Sequence, residues 1–241
     1  MIYAINKNNE KIEATPKAKA FCPFCKSPVI ACVGEIKNKY WRHEQKASKS
    51  CVAAQYENEK EWHSTWKRMF GPEFSEVYYT IGNESRKADV KLSNGLVIEI
   101  QHSSIDSREI RARELFHGKM VWIFDGTGPF AAGRLKFEKD YFFWEQPRMS
   151  ILKCSCPVFV ECDFGVLIEL LEFETIKYRE EDWHDYRKSA FKGKCNVLTR
   201  EEFKNRIIYA DVALKNTRPN FLKGFKRQFL TIENTTQLSI F

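Results

Sequence analysis

Two short apolar runs separated by a turn signal constrain the fold of this chain more than any other feature. Residues 87–92 and 96–102 mix apolar and polar side chains, and Ser93-Asn94-Gly95 lies between them. This arrangement is typical of a β-hairpin, in which the Asn-Gly pair forms the turn. Because side chains alternate between the faces of a strand, Glu99 and Gln101 share one face while the isoleucines beside them take the other. A carboxylate inside an apolar strand indicates a site with a chemical function.

The segments around this hairpin predict an α/β core. A helix is expected over about residues 55–70, where Gly71-Pro72 ends it, and a strand over about 75–81. A second helix is expected in "IDSREIRARELFHG", with Asp106 or Ser107 as its N-cap, followed by a buried strand in "KMVWIFDG". The order is therefore helix, three strands, helix, strand, and it predicts a mixed sheet.

Each predicted helix carries an apolar stripe that we expect to face the core. The stripe of the first helix is Trp62, Trp66, Met69 and Phe70, and that of the second is Ile110, Leu115 and Phe116. Gly118 is expected to end the second helix.

Composition sets limits on the class of protein. The 241 residues are 43% hydrophobic, so the chain has enough apolar material for a substantial core. No apolar run approaches the roughly 20 residues that span a bilayer, and the first residues lack the apolar centre of a secretory signal. We therefore expect a soluble cytoplasmic protein. The net charge is +7, and residues 1–56 hold ten basic against four acidic residues, an excess of six. Such an excess suits a nucleic-acid partner or a solvated basic surface equally.

The predicted hairpin places two carboxylates side by side. Asp89 lies on its first strand and Glu99 on its second, a few ångströms apart by this reasoning. Two carboxylates that close repel each other unless a cation lies between them. Mg²⁺ or Mn²⁺ takes such oxygen ligands and serves phosphodiester hydrolysis, and Gln101 is placed to position a water or a phosphate oxygen. The alternative is an ordinary solvated Asp and Glu in a hairpin.

The motifs "RKADV", "VIEIQHSSI" and "REIRAR", in this element order, resemble the PD-(D/E)xK nuclease superfamily and more closely the competence protein CoiA family. The resemblance runs from Glu57 to Gly126. It implies that Asp89 and Glu99 bind the catalytic metal. Gln101 stands where the superfamily usually has Lys, so another group must orient or deprotonate the water.

Candidates for that role lie on the first helix. Glu59, His63 and Lys67 are spaced at i, i+4 and i+8, so they share one stripe. His63 is a candidate proton carrier and Glu59 a candidate third metal carboxylate, although a helical histidine is often structural. On the second helix, Arg111 and Arg113 are candidates for contacts to DNA phosphates, one of them more than the other.

The N-terminal cysteines form a second constellation. Cys22 and Cys25 make a CxxC pair, and His43 and Cys51 supply two further ligands of the kind that hold structural Zn²⁺. Similar Cys and His pairs precede the nuclease segment in CoiA-like proteins. Cys32 is a rival fourth ligand, although its apolar neighbours favour packing. A basic zinc module of this kind is expected to contact the DNA backbone.

The last five residues carry a separate pattern. Gln237, Leu238, Ser239, Ile240 and Phe241 resemble the pentapeptide by which bacterial proteins bind the DNA polymerase sliding clamp. The polar run "TIENTT" before them is expected to leave the apolar anchors accessible. The alternative is a final strand whose apolar side chains pack on the protein itself.

Together these patterns predict an α/β protein with four parts. They are a basic zinc-binding module (1–56), a PD-(D/E)xK nuclease-like core (57–128), an α+β extension (129–230) and a flexible tail with the clamp-binding motif (231–241). The expected function is a metal-dependent deoxyribonuclease acting in recombination, repair, transformation or mobile-element processing. The alternatives are an inactive DNA-binding adaptor with the same fold and a clamp-recruited assembly protein.

Overall fold

The computed structural model describes residues 1–34, 39–47, 50–56, 61–163, 165–177 and 189–209. Its elements make a mixed α/β protein, as the sequence predicts. Contacts divide the chain into two compact units, Met1–His102 (unit 1) and Ser103–Phe241 (unit 2). In the described part of the chain, every helix is too short or too polar to cross a membrane.

Unit 1 begins with a five-stranded antiparallel sheet. Its strands lie in the order β2-β1-β3-β4-β5. They are β1 (Tyr3–Ile5), β2 (Lys11–Glu13), β3 (Lys19–Phe21), β4 (Pro28–Cys32) and β5 (Tyr40–His43). Asn9 takes a positive φ of 63° in the tight turn between β1 and β2, which confirms the predicted hairpin there. One face of the sheet buries Ala20, Val29 and Trp41 in a small core.

The second part of unit 1 contains the predicted helix and three strands. A 3₁₀ helix (Val52–Tyr56) precedes them. They are α1 (Glu61–Phe74), β6 (Ser75–Ile81), β7 (Glu84–Lys91) and β8 (Val97–Gln101). The three strands pair antiparallel in sequence order, and the Ser-Asn-Gly turn joins β7 to β8 as predicted. Trp66 and Phe70 of the predicted apolar stripe are buried.

The end of α1 differs from the prediction. Gly71 does leave helical geometry, with φ 80° and ψ 168°, but the chain makes a further helical turn through Pro72 to Phe74. Glycine tolerates this left-handed φ, and Pro72 suits the first turn of the new segment because it lacks the N–H that an interior position needs. Ser75 then donates its hydroxyl to the Lys67 carbonyl at 2.6 Å, which fastens the turn.

Unit 2 is built on six strands in the order β10-β11-β14-β13-β12-β9. The strands are β9 (Met120–Asp125), β10 (Leu135–Glu138), β11 (Tyr141–Glu145), β12 (Val158–Asp163), β13 (Val166–Lys177) and β14 (Ser189–Thr199). The helices are α2 (Ser107–His117), α3 (Thr127–Ala131) and α4 (Arg200–Tyr209), with a 3₁₀ helix at Met149–Lys153. β9 and β12 run parallel and the other printed pairs antiparallel, so this array is mixed.

The second predicted helix is confirmed in its limits but not in its whole apolar face. Asp106 caps α2 by accepting from the Arg108 amide, and Gly118 ends it. Ile110 and Phe116 are buried, whereas Leu115 is 75% exposed, so its predicted inward orientation is wrong. At about 100° per residue, Leu115 lies about 140° from Ile110, on the side of the helix away from the arc that the two buried residues span.

Candidate active site and metal centre

A group of buried charged residues lies in unit 1, which we call the charged cluster. Its members are Lys67, Glu76, Lys87, Asp89 and Glu99. The most accessible of them is only 6% exposed. Charged side chains of this type are almost never fully buried unless they are paired, so the cluster is a built feature of the fold.

Strand geometry brings the two predicted carboxylates together. Val90 pairs with Ile98 in the β7–β8 register, so the next residues outward, Asp89 and Glu99, face each other across the two strands. Lys87 lies two residues before Asp89 on β7 and therefore shares its face. The predicted juxtaposition of Asp89 and Glu99 follows directly from the hairpin.

Asp89 is surrounded by cationic groups. Its Oδ1 lies 3.1 Å from Lys67 Nζ and 3.9 Å from Lys87 Nζ, and its Oδ2 lies 3.0 Å from His63 Nε2. The amide of Ile100 also donates to Oδ2 at 3.0 Å. Burial by itself would raise the pKa of Asp89, but Lys67 and His63 hold that pKa well below its ordinary value. Asp89 is therefore ionised.

Glu76 is the second anion that holds the lysines. Its Oε1 lies 3.4 Å from Lys67 Nζ and 3.7 Å from Lys87 Nζ. Its Oε2 accepts from the backbone amides of Ile2 at 2.9 Å and Tyr3 at 3.0 Å. Glu76 thus joins the two lysines to the first strand of the chain. It does so from a positive φ of 50° at the start of β6.

Sequence reasoning missed two members of this cluster. Lys87 could have been found, because its spacing from Asp89 places both on one face of a strand. Glu76 left no such signal, since its role depends on contacts with residues 74 and 73 positions earlier in the chain. Lys67 was noticed only as part of a helical stripe, and the structure makes it a direct partner of Asp89.

The other predicted site residues are placed as follows. His63 is beside Asp89, as its helical position predicts. Gln101 lies at the end of β8 and is half-buried. Arg111 is exposed on α2, whereas Arg113 is half-buried with its Nε 2.8 Å from Glu109 Oε1. Glu59 lies outside the described residues, and so do the tail positions Gln237, Leu238, Ser239, Ile240 and Phe241.

The donor set at Asp89 and Glu99 matches a hard divalent cation in type. Carboxylate oxygens are the ligands that Mg²⁺ and Mn²⁺ take from proteins. Both oxygens of Asp89, however, already face lysine, histidine or amide nitrogens. In this arrangement Lys67 and Lys87 supply the positive charge between the carboxylates, so a metal ion would have to displace a cationic contact of Asp89.

The predicted zinc ligands meet at a second centre in unit 1. The ligand atoms of Cys22, Cys25, His43 and Cys51 all lie within 4.8 Å of one another. The two sulfurs of Cys22 and Cys51 are 3.8 Å apart, and His43 Nε2 lies 3.4 Å from Cys25 Sγ and 3.6 Å from Cys51 Sγ. Zn²⁺–S bonds of about 2.3 Å imply about 3.8 Å between two thiolates of a tetrahedral site. The four side chains therefore fit a zinc ion.

Local backbone structure assembles this centre. Cys22 follows β3 and Cys25 lies in a tight turn, where the Lys26 amide donates to the Cys22 carbonyl at 3.0 Å. His43 ends β5, on the sheet face that also buries Trp41. Cys32 belongs to β4 but not to the group of four, so the rival ligand set is not the one that the structure assembles.

The thiols of the four-residue centre have opposed pKa shifts. Burial raises the pKa of Cys22 to about 12. Burial also acts to raise that of Cys25, but hydrogen bonds from Ser27 and His43 lower the pKa of Cys25 to about 6. Zinc binding requires thiolates and so releases protons, and the low pKa of Cys25 favours the first step.

The cysteines of unit 2 have a different character. Cys154, Cys156, Cys162 and Cys195 are buried, and burial raises the pKa of the Cys195 thiol to about 11. Among the described residues they form no group of metal-ligating side chains. Packing is the role that their surroundings support.

Comparison of the chain with protein-family models, with curated proteins and with solved structures finds no match. The resemblance to CoiA-like nucleases in the sequence motifs therefore stays a prediction. The functional argument rests on the geometry of the charged cluster and of the four-residue metal centre.

Proposed function

We propose that unit 1 is a divalent-metal-dependent nuclease that hydrolyses phosphodiester bonds in DNA. The observation that carries this proposal is the pairing of two buried carboxylates, Asp89 and Glu99, on adjacent strands with Lys67, Lys87 and His63 around them. The helix and three strands that hold these residues occur in the order that the PD-(D/E)xK resemblance implies. Service in recombination, repair, transformation or mobile-element processing belongs to the same proposal.

Each side chain has a chemical task in this proposal. Mg²⁺ or Mn²⁺ held by Asp89 and Glu99 supplies a polarised phosphate and a water of lowered pKa. Lys67 and Lys87 bring the positive charge that Gln101 cannot, and such charge stabilises the extra negative charge of the transition state. His63 carries a proton at Nε2, and Gln101, at the accessible end of β8, orients a phosphate oxygen or the water.

The test is a cleavage assay with labelled single-stranded, duplex and branched DNA, with and without added Mg²⁺ or Mn²⁺. We expect cleavage by the wild type that Asp89→Asn or Glu99→Gln reduces at least about 100-fold, because metal-ligand contacts contribute several kcal/mol to the transition state. Asp140→Asn, at an exposed position of unit 2, is the control and should retain activity. Wild-type rates in either cluster variant would refute the catalytic assignment.

A DNA-binding adaptor without cleavage is the second candidate function. It is favoured by one observation, the occupation of both Asp89 oxygens by protein donors. In that case the lysines replace the metal and the cluster only stabilises unit 1. A wild type that binds DNA but cleaves none of the three substrates with either metal would favour this candidate.

Three further parts of the proposal concern binding. The Cys22, Cys25, His43 and Cys51 centre holds structural zinc, since four protein ligands leave no open position. Arg111 contacts DNA phosphate in preference to Arg113, because Arg113 is already engaged by Glu109. The segment 237–241 recruits a bacterial sliding clamp, a partner suggested by its sequence alone.

A further inference from the structure

The five-stranded sheet has two unlike faces. Residues alternate along β5, so that Trp41 and His43 are buried while Tyr40 is half-buried and Arg42 exposed. On β3, Ala20 is buried between exposed Lys19 and Phe21. The buried face carries the small core and the metal centre. The opposite face of β3, β4 and β5, which we call the open face, is directed to solvent.

Strand register shows which residues of the open face are neighbours. Lys19 pairs with Ile30, and Ile30 pairs with Arg42, so two cations flank one aliphatic residue across three strands. Directly paired residues lie on the same face of a sheet. With strands about 4.8 Å apart, the two cationic side chains start about 10 Å from each other. Strands β3 to β5 contain no acidic residue.

Aromatic rings lie on either side of this row. Phe21 is two residues from Lys19 on β3 and is 40% exposed, which is unusual for a phenylalanine in a sheet. Tyr40 is two residues from Arg42 on β5 and is half-buried. The β1 residue that pairs with Phe21, Ile5, is only 8% exposed, so the accessible surface is confined to the β3–β5 side.

We propose that the open face binds single-stranded DNA, with Phe21 and Tyr40 stacking on bases and Lys19 and Arg42 contacting phosphates. Flat sheets with exposed aromatic rings between basic side chains suit unpaired bases, because a ring stacks only on a base face that is not already covered. The positive charge of the face complements a phosphate chain. This inference rests on the proposed function for the choice of DNA as ligand, and it specifies the strand state of that DNA.

Binding is measured by fluorescence anisotropy with a labelled 20-nucleotide oligothymidylate and a 20-base-pair duplex. All proteins carry Asp89→Asn and no divalent cation is added, so cleavage plays no part in the result. We expect the single strand to bind more tightly than the duplex. Phe21→Ala should weaken binding about tenfold, in the range that loss of one stacking ring produces, while Phe21→Tyr should retain it. Lys19→Ala with Arg42→Ala should lower the slope of log affinity against log salt by about 1.4.

The matched control is Tyr141→Ala with Lys136→Ala, which removes one exposed ring and one cation from neighbouring strands of unit 2. It should bind as the parent does. Zinc content and circular dichroism of each variant verify that the sheet is intact. Equal binding by parent, Phe21→Ala and the Lys19→Ala/Arg42→Ala protein would overturn the inference, and so would tighter binding of the duplex. A protein that fails to cleave DNA but shows the expected binding pattern refutes only the nuclease proposal.

Discussion

Asp89 is the residue whose chemistry depends most on the fold. An isolated carboxylate at its burial would be protonated, and only the lysines and His63 keep it charged. Breaking such a buried pair costs more than the pair contributes relative to an apolar packing, because the remaining charges lose their partner. The stability of unit 1 is therefore tied to the ionisation of this one side chain.

This coupling predicts an acid dependence with a definite sign. The pKa of folded Asp89 lies below the ordinary value of 3.8, so its stabilising contribution is complete above that pH and is lost as pH falls through the lower folded pKa. We expect Asp89→Asn to lower the free energy of unfolding by about 3 kcal/mol at pH 7 and to weaken its decline below pH 3.8.

Urea unfolding of wild type and Asp89→Asn over a series of pH values measures both effects. Asp140→Asn serves as the control and should follow the wild-type curve, since its side chain is exposed. Parallel pH curves for wild type and Asp89→Asn would contradict the coupling.

Sequence alone predicted the parts of the site whose geometry is local. The hairpin register brings Asp89 to Glu99, and helical spacing places His63 and Lys67 on one stripe, so these residues follow from short-range rules. Glu76 has no such rule, because two backbone amides of β1 and two lysines from other elements define its position. Leu115 shows the reverse limit, since an apolar residue on a helix faces the core only if the helix packs on that side.

At the scale of elements, the turn between α1 and β6 controls the cluster. Lys67 on α1 and Glu76 on β6 are nine residues apart, and the break at Gly71 reverses the chain so that their side chains meet. A straight helix would carry residue 76 about 14 Å beyond Lys67, at 1.5 Å per residue. The predicted stop signal at Gly71 thus has a structural task beyond ending a helix.

The five-stranded sheet is the element that we expect to depend on zinc. Its core cluster contains small residues around Trp41, together with Cys22 and Cys51, so few apolar contacts stabilise it without the metal. Structural zinc contributes binding free energy directly to folding. We predict one zinc per wild-type chain, and loss of both zinc and native sheet structure in Cys22→Ser or Cys51→Ser.

Elemental analysis and limited proteolysis of the purified proteins measure the two quantities. Cys32→Ser is a matched control, because it changes a cysteine of the same sheet that lies outside the four-residue centre. It should retain zinc and resist protease as the wild type does. Zinc-free wild type prepared without chelators, or zinc loss in Cys32→Ser alone, would show that the ligand assignment is wrong.

At the scale of the whole molecule, the proposed functions are divided among separate segments. Unit 1 contains both the charged cluster and the metal centre, and the open face adds a binding surface to the same unit. Unit 2 buries its own apolar strands and cysteines and presents Arg111 on α2. A nuclease of this kind needs recruitment to particular DNA, since phosphate contacts and base stacking are largely independent of sequence.

The segment 237–241 supplies a candidate for that recruitment. Leu238, Ile240 and Phe241 are apolar anchors after a polar run, and Gln237 offers an amide for hydrogen bonds at the rim of a pocket. A short peptide of this kind binds with modest affinity, because ordering it costs part of what the anchors contribute. Binding to a ring that encircles DNA would nevertheless raise the effective concentration of the nuclease there without any new contact at the charged cluster.

We predict that purified bacterial sliding clamp binds the full-length protein with micromolar affinity, and that Gln237→Ala with Phe241→Ala weakens this binding at least about tenfold, as expected when a large buried anchor is lost. Isothermal titration calorimetry measures the affinities, and cleavage of free oligonucleotides by the same variant provides the control. That cleavage should be unchanged, because the substitutions leave the Asp89–Glu99 pair intact. Equal clamp affinity for both proteins, or none for either, would end the assignment and favour the adaptor or nuclease acting without the clamp.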